Sequence, residues 1–358
     1  MEELQELRRY HDTLPEAAPE SVGAARSRLA GHMRTSRSPR LRRIRPMWGL
    51  SLAGAAAALL AAALIVVPDV TRETSDVTRD KGVEAPQARP SAAVTKLRLR
   101  PVANARDLAD NAAVLASDEP EWRAEPTQWS YVKSLSARTQ VNGGERLHGR
   151  PTTTNTQEQW RRLNDKAFAF FEKGKLEILK GSEFEVAYAY LLALPTDADR
   201  LLARIYETVD TEDAKRRAAS RQRAEGMGET PQDEPALTSV ERDRWAFQLI
   251  ATGMRDAALP PRLRAAMYGA LAGIPGVRYE AKSSDLLKRR GVTLYHVLDG
   301  YLRDEVFINP KTYEYLGYRV IVLRDKDERF NTMKKGEILN WDAVVEATVV
   351  DKAGQRPG

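Results

Sequence analysis

The chain has 358 residues, of which 42% are hydrophobic and 30% charged, and this composition supports one folded domain of roughly 250 residues flanked by tails and linkers. It contains no cysteine, which excludes disulfides, thiolate metal sites, cysteine nucleophiles and a lipoprotein anchor. The net charge of +6 is concentrated before residue 47, where ten arginines outnumber six acids, and we expect no specific nucleic-acid partner for the chain.

An uncharged segment of 21 positions, MWGLSLAGAAAALLAAALIVV, occupies residues 47–67. A helix needs about 20 such residues to cross ~30 Å of hydrocarbon. Trp48 lies near one end, Pro68 follows the other, and six arginines between residues 34 and 45 place the N-terminus inside. We therefore predict a cell-membrane protein with a cytoplasmic tail at 1–46, one transmembrane helix at 47–67 and an extracytoplasmic C-terminal domain.

A cleaved signal peptide and a soluble alanine-rich helix are the alternatives for this segment. A signal peptide has an apolar core of about 7 to 15 residues, followed by small residues at the cleavage site. Here the run is longer, and the large side chains of residues 64–67 occupy that site. Both features favour a retained span.

The cytoplasmic tail contains two short amphipathic patterns, one with Leu4, Leu7 and Leu14 and one over residues 22–33. Helices of this length are marginal alone in water, so the tail either orders on a partner or only orients the span. Residues 68–103 contain prolines and scattered charges and predict a flexible tether. A disordered C-terminus is expected at 352–358.

The folded domain is expected at 104–351. Its first part predicts a helix and then a meander of strands, with a tight turn at Asn142-Gly143-Gly144. We predict the helix at 104–117 and the strands at 128–141, 157–163, 167–171 and 176–179.

The second part of the domain predicts helices and then a second meander. Helices are expected at 197–209, 239–257 and 262–274, and strands at 277–281, 292–298, 303–308, 318–323 and 343–350. The polar stretch after the first of these helices is interpreted as a solvated helix face or a disordered loop rather than a basic patch. The predicted fold is α+β: an antiparallel, curved sheet with helices inserted between two meanders, preceded by one transmembrane helix.

No catalytic, metal or cofactor signature stands out. The four histidines are scattered, and the motifs of nucleotide binding and acyl transfer are missing from the sequence. The neighbouring carboxylates Asp304 and Glu305 are candidates for acid and base, but hydrated strand edges are the more common setting for such pairs. We therefore expect no enzyme activity and no cofactor.

Five aromatic residues alternate along the predicted strands of the first meander. They are candidates for the lining of an apolar cavity, and the competing interpretation is an ordinary core. The residues are Trp129, Tyr131, Trp160, Phe168 and Phe170.

The order of elements over 104–351 resembles the half-barrel of periplasmic lipoprotein carriers and related sensor domains. Longer phrases are similar to an actinobacterial family of single-pass proteins often encoded beside extracytoplasmic-function sigma factors. They are ELRRYHDTLPE, PTQWSYVKS, YLLALPTDADRLLARIY, LPPRLRAAMYGALAGIPGV and FINPKTYEYLGYRVIVL.

That resemblance implies an envelope sensor or regulator whose tail, residues 1–46, binds a cytoplasmic sigma factor or regulator. The family supplies no functional residues to carry over. The chain lacks the His and Cys ligands of zinc-type anti-sigma factors, and 46 residues is short for a full sigma-binding domain. The alternative is a membrane-tethered carrier or binding module for an apolar, lipid-like envelope ligand, and an envelope enzyme ranks last.

Overall fold

The computed structural model describes residues 99–120, 122–137, 139, 146–182, 184–227, 230, 233–328 and 331–357. The predicted tail, the predicted span and nearly all of the tether lie outside this part of the chain, and so does the turn at Asn142-Gly143-Gly144. Among the helices within it, none is both long and apolar enough to cross a bilayer.

The described part of the chain contains the predicted helices and strands in the predicted order. It also contains four short elements that were not predicted, at Leu147–His148, Tyr188–Leu192, Lys326–Glu328 and Asn331–Met333. The helices are α1 (Ala105–Asp118), α2 (Tyr188–Leu192), α3 (Ala198–Gly226), α4 (Ser239–Asp256) and α5 (Pro261–Gly273). The strands are β1 (Trp129–Ala137), β2 (Leu147–His148), β3 (Thr154–Arg162), β4 (Ala167–Glu172), β5 (Lys175–Lys180), β6 (Arg278–Ser284), β7 (Arg290–Leu298), β8 (Leu302–Ile308), β9 (Tyr315–Val322), β10 (Lys326–Glu328), β11 (Asn331–Met333) and β12 (Glu337–Val350).

Ten of these strands form one open antiparallel sheet, so the α+β class is confirmed. The strand order is β5-β4-β3-β1-β12-β9-β8-β7-β6, with β2 also paired to β12. The strands before the helices form one half of the sheet, and those after the helices form the other. Strand β12 joins the halves because it pairs with β1 on one side and β9 on the other.

The main core lies between the helices and one face of this sheet. Strand residues alternate between the two faces, so Tyr318 and Val320 point toward the helices while Arg319 and Ile321 point away. Helix α4 packs on β7 and β9, and α5 packs against α1 and α3. We call the face opposite the helices the outer face.

Local signals account for the helix starts. Asn104 accepts a hydrogen bond from the Asp107 amide at 2.9 Å and caps α1. Thr238 and Glu241 form the predicted capping box of α4, and α5 begins with Pro261 at its first position.

Helix α3 is longer than predicted and continues to Gly226. The polar stretch that follows residue 209 is a helix because its charges pair along the helix surface. The Asp213 carboxylate contacts Arg216 at 2.8 Å and Arg217 at 3.0 Å, three and four residues ahead. Arg216 also contacts Glu234 at 2.5 Å in the following segment. The predicted end at 209 was therefore wrong, and the solvated-helix interpretation is the correct one.

A buried carboxylate fixes α4 on the sheet. Asp304 of β8 is fully buried and accepts hydrogen bonds from Arg244 at 2.8 Å, from Gln248 at 3.0 Å and from the Tyr318 hydroxyl. Arg244 and Gln248 lie one turn apart on α4. This ion pair is therefore shielded from water on both sides.

We expect Asp304→Ala to lower the free energy of unfolding by about 3–5 kcal/mol, because it leaves the Arg244 charge buried without its partner. Denaturant unfolding followed by tryptophan fluorescence measures this loss. The matched control is Asp210→Ala, which breaks the exposed ion pair between Asp210 of α3 and Arg242 of α4 and costs less than about 1 kcal/mol. Equal losses in the two variants would contradict the assignment of Asp304 as a buried charge that holds α4 on the sheet.

Candidate functional site

The five aromatic residues singled out from the sequence do not line one common surface. Trp129, Tyr131 and Trp160 pack together on the outer face, with 5.0 Å between the ring centroids of Tyr131 and Trp160. Phe168 and Phe170 stack on each other at 5.9 Å on the opposite face. The separation follows from the strand register, since Trp160 lies opposite Ala169.

Residues 351–357 cover the outer aromatic group. The Trp160 indole Nε1 donates to the Gln355 carbonyl at 2.7 Å, and Arg356 makes two hydrogen bonds to Glu158, at 2.6 and 3.0 Å. Glu158 also accepts the Tyr131 hydroxyl at 2.8 Å. This arrangement differs from the disordered end expected at 352–358, because a buried tryptophan supplies a donor that needs an acceptor.

Arg356→Ala is expected to release this segment without unfolding the domain, since the arginine side chain is largely exposed. Hydrogen exchange should become about tenfold faster or more for the amides of residues 351–357, with unchanged exchange in β7 and β8. Arg204→Ala, which removes an exposed pair within α3, is the control and should change neither. Unaltered exchange at residues 351–357 in Arg356→Ala would show that the two hydrogen bonds do not hold the segment.

The outer face of the second half of the sheet contains a pocket of about 250 Å³. It lies over β6, β8, β9 and β12 and is closed on one side by the chain at residues 149 and 150. Its polar lining includes Arg150, Glu280, Ser283, Glu305, Arg319 and Trp341. Ile321 and Ile338 supply an apolar wall.

Arginine side chains stack on the aromatic rings around this pocket. The Arg319 guanidinium lies over Trp341 at 4.9 Å and over Phe307 at 5.4 Å from the ring centroids. Arg150 lies over Trp341 at 5.5 Å, and Arg303 lies over Tyr295 at 3.7 Å. Such contacts orient the guanidinium groups through the negative faces of the rings.

The carboxylates of the pocket are already paired. Glu305 is 2% exposed, and its two oxygens accept from Arg303 at 2.7 Å and Arg319 at 2.5 Å. Arg303 also pairs with Glu280. Arg150 donates only to the Ser284 hydroxyl at 2.7 Å and to a backbone carbonyl at 3.3 Å, so among the described residues it has no carboxylate partner. The group therefore carries one surplus positive charge.

Four buried polar atoms on the outer face of this half of the sheet have no hydrogen-bond partner within the described residues. They are Ser283 Oγ, Thr293 Oγ1, Arg303 Nε and Trp341 Nε1. Ser283 and Trp341 line the pocket, and Trp341 is 2% exposed. Buried polar groups are normally paired, so the two unpaired atoms in the pocket lining, Ser283 Oγ and Trp341 Nε1, are candidate contacts for a polar molecule.

The two neighbouring carboxylates considered as acid and base point to opposite faces of β8. Asp304 faces α4 and Glu305 faces the pocket, and both are buried, so neither is a hydrated edge residue. Each is compensated by arginine. The other pocket residues were missed, although the alternation of Arg303, Glu305 and Arg319 on one face is a signal that they share a surface.

A second buried acid lies on the helix side of β12. Asp342 is 1% exposed; its Oδ1 accepts from the Tyr318 amide at 3.2 Å, and its Oδ2 has no partner among the described residues. Burial raises the pKa of Asp342 to about 7, although Arg255 acts in the opposite direction. Asp256 adds a like charge that also raises the pKa of Asp342.

The raised pKa predicts that stability falls as the pH rises. Between about pH 4 and about pH 7 the folded state holds the Asp342 proton and the unfolded chain does not, so the free energy of unfolding decreases across this window. Asp342→Asn should remove this pH-dependent part of the free energy of unfolding, which amounts to a few kcal/mol. Unfolding titrations at a series of pH values measure it.

Asp210→Asn is the control for this titration, because Arg242 lowers the pKa of Asp210 and the contribution of Asp210 is therefore lost only in more acidic solution. Parallel pH profiles for the wild type and Asp342→Asn would contradict the assignment of the buried proton.

Neither a metal site nor a known relative indicates a function for the described part of the chain. Within the part of the chain that the structure describes, no group of three or more His, Asp or Glu residues is arranged to hold a metal ion. The chain has no significant match among protein-family models, curated proteins or solved structures.

Proposed function

We propose that the chain is a non-enzymatic, single-pass membrane protein that senses the cell envelope with its folded domain and signals through its cytoplasmic tail. The observation that carries the proposal is the uncharged segment at residues 47–67, preceded by six arginines between residues 34 and 45. The outer-face pocket supports a sensory role because it combines a surplus cation with buried donors that lack partners.

We further propose that the open antiparallel sheet has the curved, half-barrel-like form that the element order implies. The helices packed on one face are consistent with that form. In this arrangement the outer face is the side available to an envelope ligand. Strand β9 lines the pocket on one face and contacts α4 on the other, and we propose that it carries the effect of ligand binding to the helix layer.

The tethered carrier of an apolar ligand ranks second. Its ligand would lie between the helices and the sheet, as in the half-barrel carriers that the chain resembles. That space is filled by side chains with no exposed surface, among them Phe247, Ile250, Met267, Leu294 and Val306. A carrier role would therefore require the helices to move away from a well-packed core.

The signalling half of the proposal is tested by affinity capture of the full chain from its own cells in detergent, with mass spectrometry of the bound proteins. We expect recovery of one sigma factor or transcription regulator at moderate salt, and its loss when Leu4, Leu7 and Leu14 are replaced by Asp. The replacements remove the apolar face of the first tail pattern while leaving its arginines in place.

The control adds the same charge at polar positions of the tail, with Ser21, Ser27 and Ser36 replaced by Asp. Capture should survive in this variant. Recovery of only salt-sensitive polyanion binders, or equal loss in the two triple variants, would reduce the tail to an orientation signal.

A further inference from the structure

We infer that the outer-face pocket binds a small organic monoanion through its carboxylate. The inference rests on the proposed sensory role of this face and names the chemical class of its ligand. The carboxylate would meet the guanidinium groups of Arg150 and Arg319, and the Trp341 indole would donate the next hydrogen bond.

The charge of the pocket selects an anion. Arg303 and Arg319 balance Glu280 and Glu305, and both oxygens of Glu305 are occupied. Arg150 is the remaining charge, and within the described residues its partners are a hydroxyl and a carbonyl. One bound negative charge therefore neutralises the group. A dianion would leave a surplus negative charge next to Glu280 and Glu305.

The unpaired groups select an acceptor. Two of the unpaired atoms belong to residues that line the pocket: Trp341 Nε1 is a donor only, and the Ser283 hydroxyl donates or accepts. A carboxylate has two oxygens with about four acceptor positions, and its hydrogen bonds to charged donors are stronger than neutral ones. A neutral amide of the same shape replaces one of those oxygens by a donor, which would face Arg150 and Trp341.

The pocket dimensions select a small ligand. Its volume of about 250 Å³ is below the roughly 300–1,000 Å³ typical of sites for drug-sized molecules. Ile321 and Ile338 form an apolar wall that suits a short hydrocarbon or aromatic portion next to the carboxylate.

Arg150 and Arg319 both lie over the Trp341 ring, and Arg150 is the less firmly held of the two. The unpaired Trp341 Nε1 is buried, and the Arg150 guanidinium lies over the tryptophan ring. Arg150 is exposed, and one of its two hydrogen bonds is long at 3.3 Å. Arg319, in contrast, is held at 2.5 Å by a buried glutamate. We therefore assign Arg150 as the mobile ligand contact and Arg319 as the fixed one.

The test measures binding to the full chain in nanodiscs by calorimetry at constant ionic strength. The probes are benzoate, hexanoate and N-acetylalanine, each paired with its neutral amide. At least one carboxylate should bind at least about tenfold more tightly than its amide. Arg150→Gln should weaken that binding about tenfold or more, and Trp341→Phe should weaken it several-fold while keeping an aromatic ring in place.

Arg204→Gln is the matched control, because it removes the same charge from an exposed position on α3 and should leave the affinity unchanged. The inference is overturned if no carboxylate is preferred over its amide, or if Arg150→Gln and Arg204→Gln have equal effects. Such a result leaves the signalling proposal standing when capture through the tail succeeds, so the two failures are distinguishable.

Discussion

The buried carboxylate of Asp304 is the constraint on which the arrangement of the domain depends. A charge with no exposed surface needs full compensation, and here Arg244, Gln248 and the Tyr318 hydroxyl provide it. Because two of these partners lie on α4, the carboxylate sets both the position and the rotation of that helix on β8 and β9. A shift of α4 by one turn would separate the buried charges of Arg244 and Asp304.

Strand β8, which carries Asp304, also contributes to the outer-face pocket, because consecutive side chains point to opposite faces of the sheet. Glu305 follows Asp304 and must point away from the helices, where Arg303 and Arg319 hold it. On β12, Trp341 faces outward and Asp342 inward in the same way. Close packing of β9 on β12 requires a glycine at position 317, since a Cβ there would lie 2.2 Å from the Asp342 carbonyl oxygen. The pocket and Asp342 therefore lie on opposite faces of the strand pair β9 and β12.

Local sequence patterns predicted the elements well, because caps, prolines and two-residue alternation act over a few positions. The starts of α4 and α5 follow from Thr238, Glu241 and Pro261. The end of α3 was missed because its buried apolar residues stop at Val209, and beyond that point ion pairs such as those of Asp213 stabilise the helix.

The candidate sites depend on contacts between distant parts of the chain, which local patterns do not contain. A shift of one residue in strand register decides whether Trp160 meets Phe168 or Ala169, and the register is set by the whole sheet. The pocket brings Arg150 from the segment after β2 to Ser284 at the end of β6, 134 positions away in sequence. Only the alternation of arginine and glutamate on β8 and β9 hinted at it.

The proposed topology, with the folded domain outside the membrane and the tail inside, is directly measurable because the chain has no cysteine. Single cysteines are introduced by Ser36→Cys in the tail and by Glu177→Cys on the exposed edge strand β5, and intact cells are treated with a membrane-impermeant maleimide. The account predicts labelling of Glu177→Cys in intact cells and of Ser36→Cys only after lysis. Labelling of Ser36→Cys in intact cells, or protection of Glu177→Cys until lysis, would contradict it.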